Sequence, residues 1–285
     1  MTVRWPGPVE RRVDIMGNTM PRSQTTRVSW EPTYTHVKAS ATETLAAVQN
    51  ARVTELHAAV PLANATQDLS HGVPVMPDYV APDENAAGVF TIDLSPSCNM
   101  GFADDTAGDG RGGWSDEGPL NDMRCLPPGK RRFYGVPFVI IDPALNKGKS
   151  VITLRSRTSS QTLPESVAVT FAPRRCRALY FLHASAWGTP GEIGEYTVTY
   201  ADEQIAHLPL TIPGNTGNWW TPPQDGETGR TVPVRVDNTP SGTPEWRYLR
   251  VWEWQNPRRN VPIHRIDVHA GKGKQMPILI AVTGV

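Results

Sequence analysis

Several things are scarce in this chain of 285 residues. It has three cysteines, Cys98, Cys125 and Cys176. None stands in CxxC spacing and no His–Cys cluster accompanies them, which argues against a zinc site. One disulfide, for example Cys98–Cys125, is open to them, with reduced thiols favoured, and they do not assign a compartment. No run of eighteen apolar residues occurs, so no helical membrane span and no membrane partner is expected. Charge of one sign is not in excess: Lys+Arg 28 balances Asp+Glu 28. Binding a polyanion through bulk charge needs clustered surplus cations, so nucleic acid is not an expected partner. GxSxG, HExxH and P-loop patterns are missing, and there is no repeat of fixed period. The opening text, MTVRWPGPVERRVDIMG, lacks the apolar core of a signal peptide. Its abrupt Pro-rich start suggests a piece excised from a longer protein.

What is abundant is punctuation. Twenty-four glycines and 27 prolines imply many short elements joined by turns and argue against a helical bundle. Nine tryptophans are many for this length, and each must anchor a core or form part of a flat binding surface. Residues 1–39 read as irregular structure with short strands, broken by Pro6, Pro8, Pro21 and Pro32. Ser40-Ala-Thr-Glu43 is a capping-box pattern. Leu45, Val48, Arg52 and Leu56 follow at helical spacing, so one helix is expected over about 41–58. Residues 61–88, with Pro61, Pro74, Pro77 and Pro82, read as an ordered linker.

From about residue 89 the text becomes a series of strands: 89–94, 133–141, 150–156, 166–172, 177–187, 196–201, 204–212, 231–236, 247–254, 263–270 and 277–283. They are short, rich in β-branched and aromatic residues, and bounded by Gly, Pro, Asn or Asp. Parallel sheets would need helical crossovers, for which there is no room. The expected fold is therefore mostly β, an antiparallel β-sandwich or jelly roll over 88–285, preceded by an extension over 1–87. Both faces of RALYFLHASAW (177–187) are largely apolar, which marks a central strand covered on both sides. His183 then reads as a hydrogen-bonded core histidine. Trp246, Tyr248, Arg250, Trp252 and Trp254 share the other notable stripe, as core filling or as a platform for sugar rings.

Three constellations could carry chemistry. The first runs from Asn99 to Asp122 and crowds Asp104, Asp105, Asp109, Asp116, Glu117 and Asp122 among glycines. Such like charges need neutralising, and Ca2+ takes hard oxygen ligands from a Gly-bent loop. An EF-hand is excluded, because Ala107 stands where a ligand belongs and no Glu occupies the twelfth place. Arg111 and Arg124 are the alternative neutralisers. The second is Gly214-Asn-Thr-Gly-Asn-Trp219-Trp220-Thr-Pro-Pro. Two adjacent indoles in such a loop cannot both face inward, and an exposed indole beside amides suits a sugar ring. The third is Glu192, Glu195 and Asp202 with Asp116 and Glu117, in which no spacing singles out an acid and a nucleophile.

The segments VFTIDLSPSCNMGFADD, GWSDEGPLNDMRCLPPGK, FYGVPFVIID, LYFLHASAW, GEYTVTYAD, NWW, WEWQNP and IHRIDV, in that order over 88–285, resemble an accessory β-sandwich module. Such modules, of galactose-binding, jelly-roll type, belong to large bacterial glycoside hydrolases and related polysaccharide-degrading proteins. One departure is Glu203, which stands where the family's YADG hairpin has glycine. The resemblance implies a non-catalytic role that binds a polysaccharide or oligosaccharide, or braces the catalytic domain of the same parent chain. It also implies a structural calcium and a secreted or cell-surface setting. On this reading Trp219 and Trp220 are the leading stacking residues, with Trp114, Trp187 and Arg124 behind them. Asp104, Asp105, Asp109 and Asp116 are the calcium candidates. A stand-alone glycoside hydrolase or polysaccharide lyase, and a purely structural domain with every tryptophan buried, are the alternatives.

Overall fold

The computed structural model describes residues 88–159 and 161–285, together with four short strands nearer the N-terminus. Those strands are Thr2–Arg4 (β1), Val9–Asp14 (β2), Thr25–Arg27 (β3) and Thr33–Val37 (β4), in antiparallel pairs β1·β3 and β2·β4. The expected helix over 41–58 and the linker over 61–87 lie outside the described residues. Contacts divide the chain into Met1–Ala81 and Pro82–Val285.

The second unit is a mostly β, sandwich-like assembly of antiparallel sheets. Its strands are Phe90–Ile92 (β5), Gly129–Phe133 (β6), Val136–Ile140 (β7), Ile152–Thr153 (β8), Ser166–Arg174 (β9), Ala178–Ala186 (β10), Gly191–Tyr200 (β11), Ile205–Ile212 (β12), Arg230–Val236 (β13), Glu245–Gln255 (β14), Ile263–Ala270 (β15) and Met276–Gly284 (β16). One sheet runs in the order β13-β14-β10-β16-β5, with β8 also on β16, and the other β12-β11-β15-β9. Alternation explains the core between them. Leu179 and Phe181 of β10 meet Tyr196, Val198 and Tyr200 of β11 and Leu208, Leu210 and Ile212 of β12 in one buried cluster. Phe181 stacks on Tyr196 at 4.5 Å, joining the two sheets. All nine residues of β10 are buried, as its two apolar faces require.

The second face of that sheet is covered by the segment between β5 and β8. The text over 133–141, expected as one strand, is instead the end of β6, a two-residue turn and β7. Tyr134 and Gly135 both take positive φ, 53° and 75°, and Phe133 pairs directly with Val136. This is the conformation a tight hairpin demands, and an X-Gly pair supplies it. Tyr134 donates a hydrogen bond to the Thr231 carbonyl and Thr283 to the Pro137 carbonyl, holding the hairpin on the sheet. All three cysteines are free, and burial pushes the Cys98 and Cys176 thiols up to about 12 and about 11.

Candidate functional site

Two loops meet where β10 and β14 part. These strands pair from Ala178↔Gln255 to His183↔Arg250. Beyond that point the segment 217–219 enters between them. Ser185 donates to the Gly217 carbonyl (3.0 Å), Trp219 to the Ser185 carbonyl (2.9 Å) and Tyr248 to the Trp219 carbonyl (2.7 Å). A Cβ at 217 would lie 2.5 Å from Arg250 Nη2 and 2.8 Å from Glu227 Oε1, so any larger residue would have to displace that pair. Arg250 and Glu227 form a buried two-pronged ion pair at 2.5 and 3.0 Å, which ties the loop to β14.

The second loop is the acidic one. Asp104 is buried; its amide donates to Asp122 Oδ2, and its own carboxylate accepts from Thr106 N (3.2 Å) and Gly118 N (2.9 Å). Gly110 N donates to Asp116 Oδ2 (3.1 Å), and Arg111 N to Asp109 Oδ1 (2.9 Å). Asp104, Asp109 and Asp116 each offer a carboxylate oxygen within 4.8 Å of the others. Burial pushes the Asp104 carboxyl up, against the pull of its two N–H donors, and the charges of Asp116 and Asp109 add to the rise. Asp105 stands outside this triad: its side chain is 87% exposed and pairs with Arg124 at 3.0 Å.

Arg124 lies among the acidic groups of the loop. It binds Asp122 at 2.7 Å and Asp105, and donates to the Asp104 carbonyl (2.8 Å), so it neutralises part of the loop's charge. Asn238 reinforces this by donating to Asp122 Oδ1 (2.7 Å). Trp114 is 2% exposed and set edge-on against Phe102 and Trp219, the latter at 5.2 Å. It therefore fastens the acidic loop to the Trp219 loop. Trp219, also 2% exposed, is boxed edge-on between Trp114 and Trp220 and presents no free ring face.

Between the loops lies a cleft of about 230 Å³ lined by Glu117, Asn121, Trp187, Asn218, Trp219 and Trp220. Trp220 is 37% exposed. One side of its ring packs on the Arg247 guanidinium at 3.4 Å, and Arg247 is itself paired with Glu245. Asn218 Oδ1 accepts from Trp220 N (3.1 Å) and fixes the indole's approach. Trp187 is half-buried at the end of β10 and holds φ 49°, a conformation that a bulky residue rarely adopts. Glu117 accepts hydrogen bonds from Ser115 and Trp187, yet partial burial outweighs them and pushes its carboxyl up. Asn121 Oδ1 is buried and has no hydrogen-bond partner.

The structure thus brings Trp187, Trp219 and Trp220 to one cleft, whose lining does not include Trp114 or Arg124. Sequence reasoning missed Arg247, because it alternates with the aromatic stripe of Trp246 and Tyr248 and nothing local signals that a loop tryptophan comes to lie on it. The place of Asn121 in the cleft lining was hidden in the same way, since nothing local marks it. Of the stripe on β14, Trp252 and Trp254 pack against the core and Trp246 is exposed. Among the described residues no helix is long and apolar enough to cross a membrane. Compared with known proteins, the chain matches no family model and no curated protein.

Proposed function

We propose that residues 88–285 are a non-catalytic carbohydrate-binding module of jelly-roll, galactose-binding type, serving a polysaccharide-degrading enzyme at the cell surface or outside the cell. The observation that carries this reading is the cleft: indoles of Trp187 and Trp220 at its wall, with amides of Asn121 and Asn218 beside them. Sugar C–H faces stack on indoles while hydroxyls bond amides and carboxylates. Glycoside hydrolysis employs two carboxyl groups across the scissile bond, whereas this lining contains one, Glu117. Exposure of Trp220 and Trp246 speaks against the purely structural alternative.

The acidic loop fits a structural calcium. Asp104, Asp109 and Asp116 are hard oxygen donors converging in a Gly-rich bend, and a divalent cation would offset their mutual repulsion. Bound there, the ion would supply charge neutralisation to the loop that carries Glu117 and Asn121.

The test is a pair of variants in affinity electrophoresis against a panel of polysaccharides. Trp220→Ala should weaken retention about tenfold, the equivalent of about 1.4 kcal/mol, with little change in stability. Trp219→Ala should instead destabilise the fold by about 3–5 kcal/mol, because it empties a buried site. Unchanged mobility of a folded Trp220→Ala protein on every glycan that the parent binds counts against the cleft, and release of sugar from the panel favours the enzyme.

A further inference from the structure

We infer that a second groove, at the end of the sandwich away from the cleft, binds an acidic polysaccharide through its carboxylate or sulfate groups. Strand β10 separates the two ends: it starts at Ala178, next to Arg177, and stops at Ala186, next to Trp187 of the cleft. Its nine residues, at about 3.3 Å each, keep the sites well apart. The groove, of about 250 Å³, runs along β5 and β7. Phe90, Pro137, Phe138 and Val139 give it apolar walls, and Lys130 stands in its lining. Arg174 of β9 holds its guanidinium 5.9 Å from the centre of the Phe90 ring, which brings a second cation to the same wall. A track of arginines continues from there. Arg174, Arg175 and Arg177 lead into β10, and Arg258 and Arg259 follow β14. Asn256 joins the two segments. Its backbone N–H donates to the Arg177 carbonyl and its Nδ2 to the Cys176 carbonyl, both at 2.8 Å, and its Oδ1 accepts from Arg258 N at 2.8 Å. Lys130, Arg174, Arg175, Arg177 and Arg259 are exposed, and none is in an ion pair among the described residues. Of the carboxylates at this end, Asp202 is gripped by both arms of Arg258 at 2.9 and 2.6 Å, Glu253 accepts from Gln255, and Glu203 lies 3.6 Å from His264. The whole chain has no net charge, so this surplus is one of placement: acidic groups gather over 104–122 and basic ones here. What fits is an anion carried on a ring. Guanidinium forks match the paired oxygens of carboxylate and sulfate. The C–H face of a sugar packs on the apolar wall while its acid group meets Lys130 and Arg174, and further units reach Arg175, Arg177 and Arg259. A nucleic-acid duplex offers phosphates but keeps its bases stacked, so no part of it fills the groove. The groove shares no residue with the cleft, so the two readings fail separately.

The experiment is calorimetric titration of the whole chain at neutral pH, with EDTA present so that no metal bridges a probe to the acidic loop. The probes are a galacturonate tetramer, a sulfated cello-tetramer, a plain cello-tetramer and a short DNA duplex. The expected result is binding of the uronate or the sulfated probe, whichever acid the groove takes, at least tenfold tighter than the duplex. That affinity should fall steeply between about 50 and 200 mM salt, as contacts to several charges on one polymer do. Lys130→Gln/Arg174→Gln should weaken it at least tenfold and leave the plain cello-tetramer and the melting temperature unchanged. Lys272→Gln/Lys274→Gln removes the same charge from exposed positions beyond the far end of β15 and should have little effect. Trp220→Ala should leave the acidic probe bound. Equal binding of the duplex, or equal loss in the two double variants, marks bulk charge alone and overturns the inference. So does affinity that survives Lys130→Gln/Arg174→Gln or vanishes with Trp220→Ala, and so does failure of both acidic probes to bind. Loss of the plain cello-tetramer in Trp220→Ala bears on the cleft alone.

Discussion

His183 is 1% exposed between the two sheets, where Tyr196 Oη donates to its Nδ1 (2.9 Å) and its Nε2–H donates to the Asn215 carbonyl (3.0 Å). Trp252 stacks parallel to it at 6.2 Å. Burial pushes its pKa down to about 4, helped by the positive charge of Arg250. The folded protein thus resists a proton that the unfolded chain accepts from about pH 6.5 downward. The stability this neutral ring contributes is fully present above pH 6.5 and is lost as the pH falls toward 4, by roughly 3 kcal/mol. Urea denaturation across that window should show stability falling with acid, and His183→Gln, though weaker throughout, should flatten the slope. Strand alternation was enough to place this residue in the core. It failed for Trp219 and Trp114, because alternation says nothing about a loop. Their burial comes from each other and from Phe102, residues far apart in the text.

At the scale of elements, the β11–β12 hairpin turns at Glu203, which takes φ 63° and donates its amide to the Tyr200 carbonyl (2.9 Å). Its side chain is largely exposed, with a loose contact to His264 at 3.6 Å, so little compensates the left-handed backbone. Left-handed geometry costs a residue with a Cβ about 1–2 kcal/mol, part of which glycine returns as chain entropy in the unfolded state. Glu203→Gly should therefore raise stability by about 0.5–1 kcal/mol in thermal melts, and Glu203→Val should lower it. The strands themselves were legible, since β-branched alternation between turn residues is a local signal. The hairpin inside 133–141 was less so: Tyr134-Gly135 interrupts an apolar run without adding a polar residue to mark the bend. Sheet order was not legible at all, because pairings such as β10 with β16 join residues about a hundred positions apart, and no local pattern encodes them.

Across the whole molecule, the cleft depends on convergence of segments distant in sequence. Asp122 is held by Asn238, Trp114 by Trp219, and the Trp219 loop by Arg250. A sequence reading could collect the acidic residues but could not separate Asp105, turned toward Arg124, from the three carboxylates that converge. A cation held by the acidic loop, as proposed above, would link metal binding to the fold. A cation bound only to the native state at a hundredfold excess over its dissociation constant adds about 2.7 kcal/mol. Millimolar Ca2+ should therefore raise the melting temperature and EDTA should lower it. Asp109→Asn should blunt the response, while Asp105→Asn should preserve it.

The segment 217–219 occupies the hydrogen-bonding partners that β10 and β14 no longer offer each other. The wall that presents Trp220 is in this sense a piece of the sheet, cast when the strands assemble and braced by a salt link with almost no access to water. Under the proposed carbohydrate-binding function, a ligand would meet a finished surface. Little of its interaction energy would be consumed in ordering backbone, so even a shallow grip on a polymer would be selective, and many such weak grips along one chain would add up to retention.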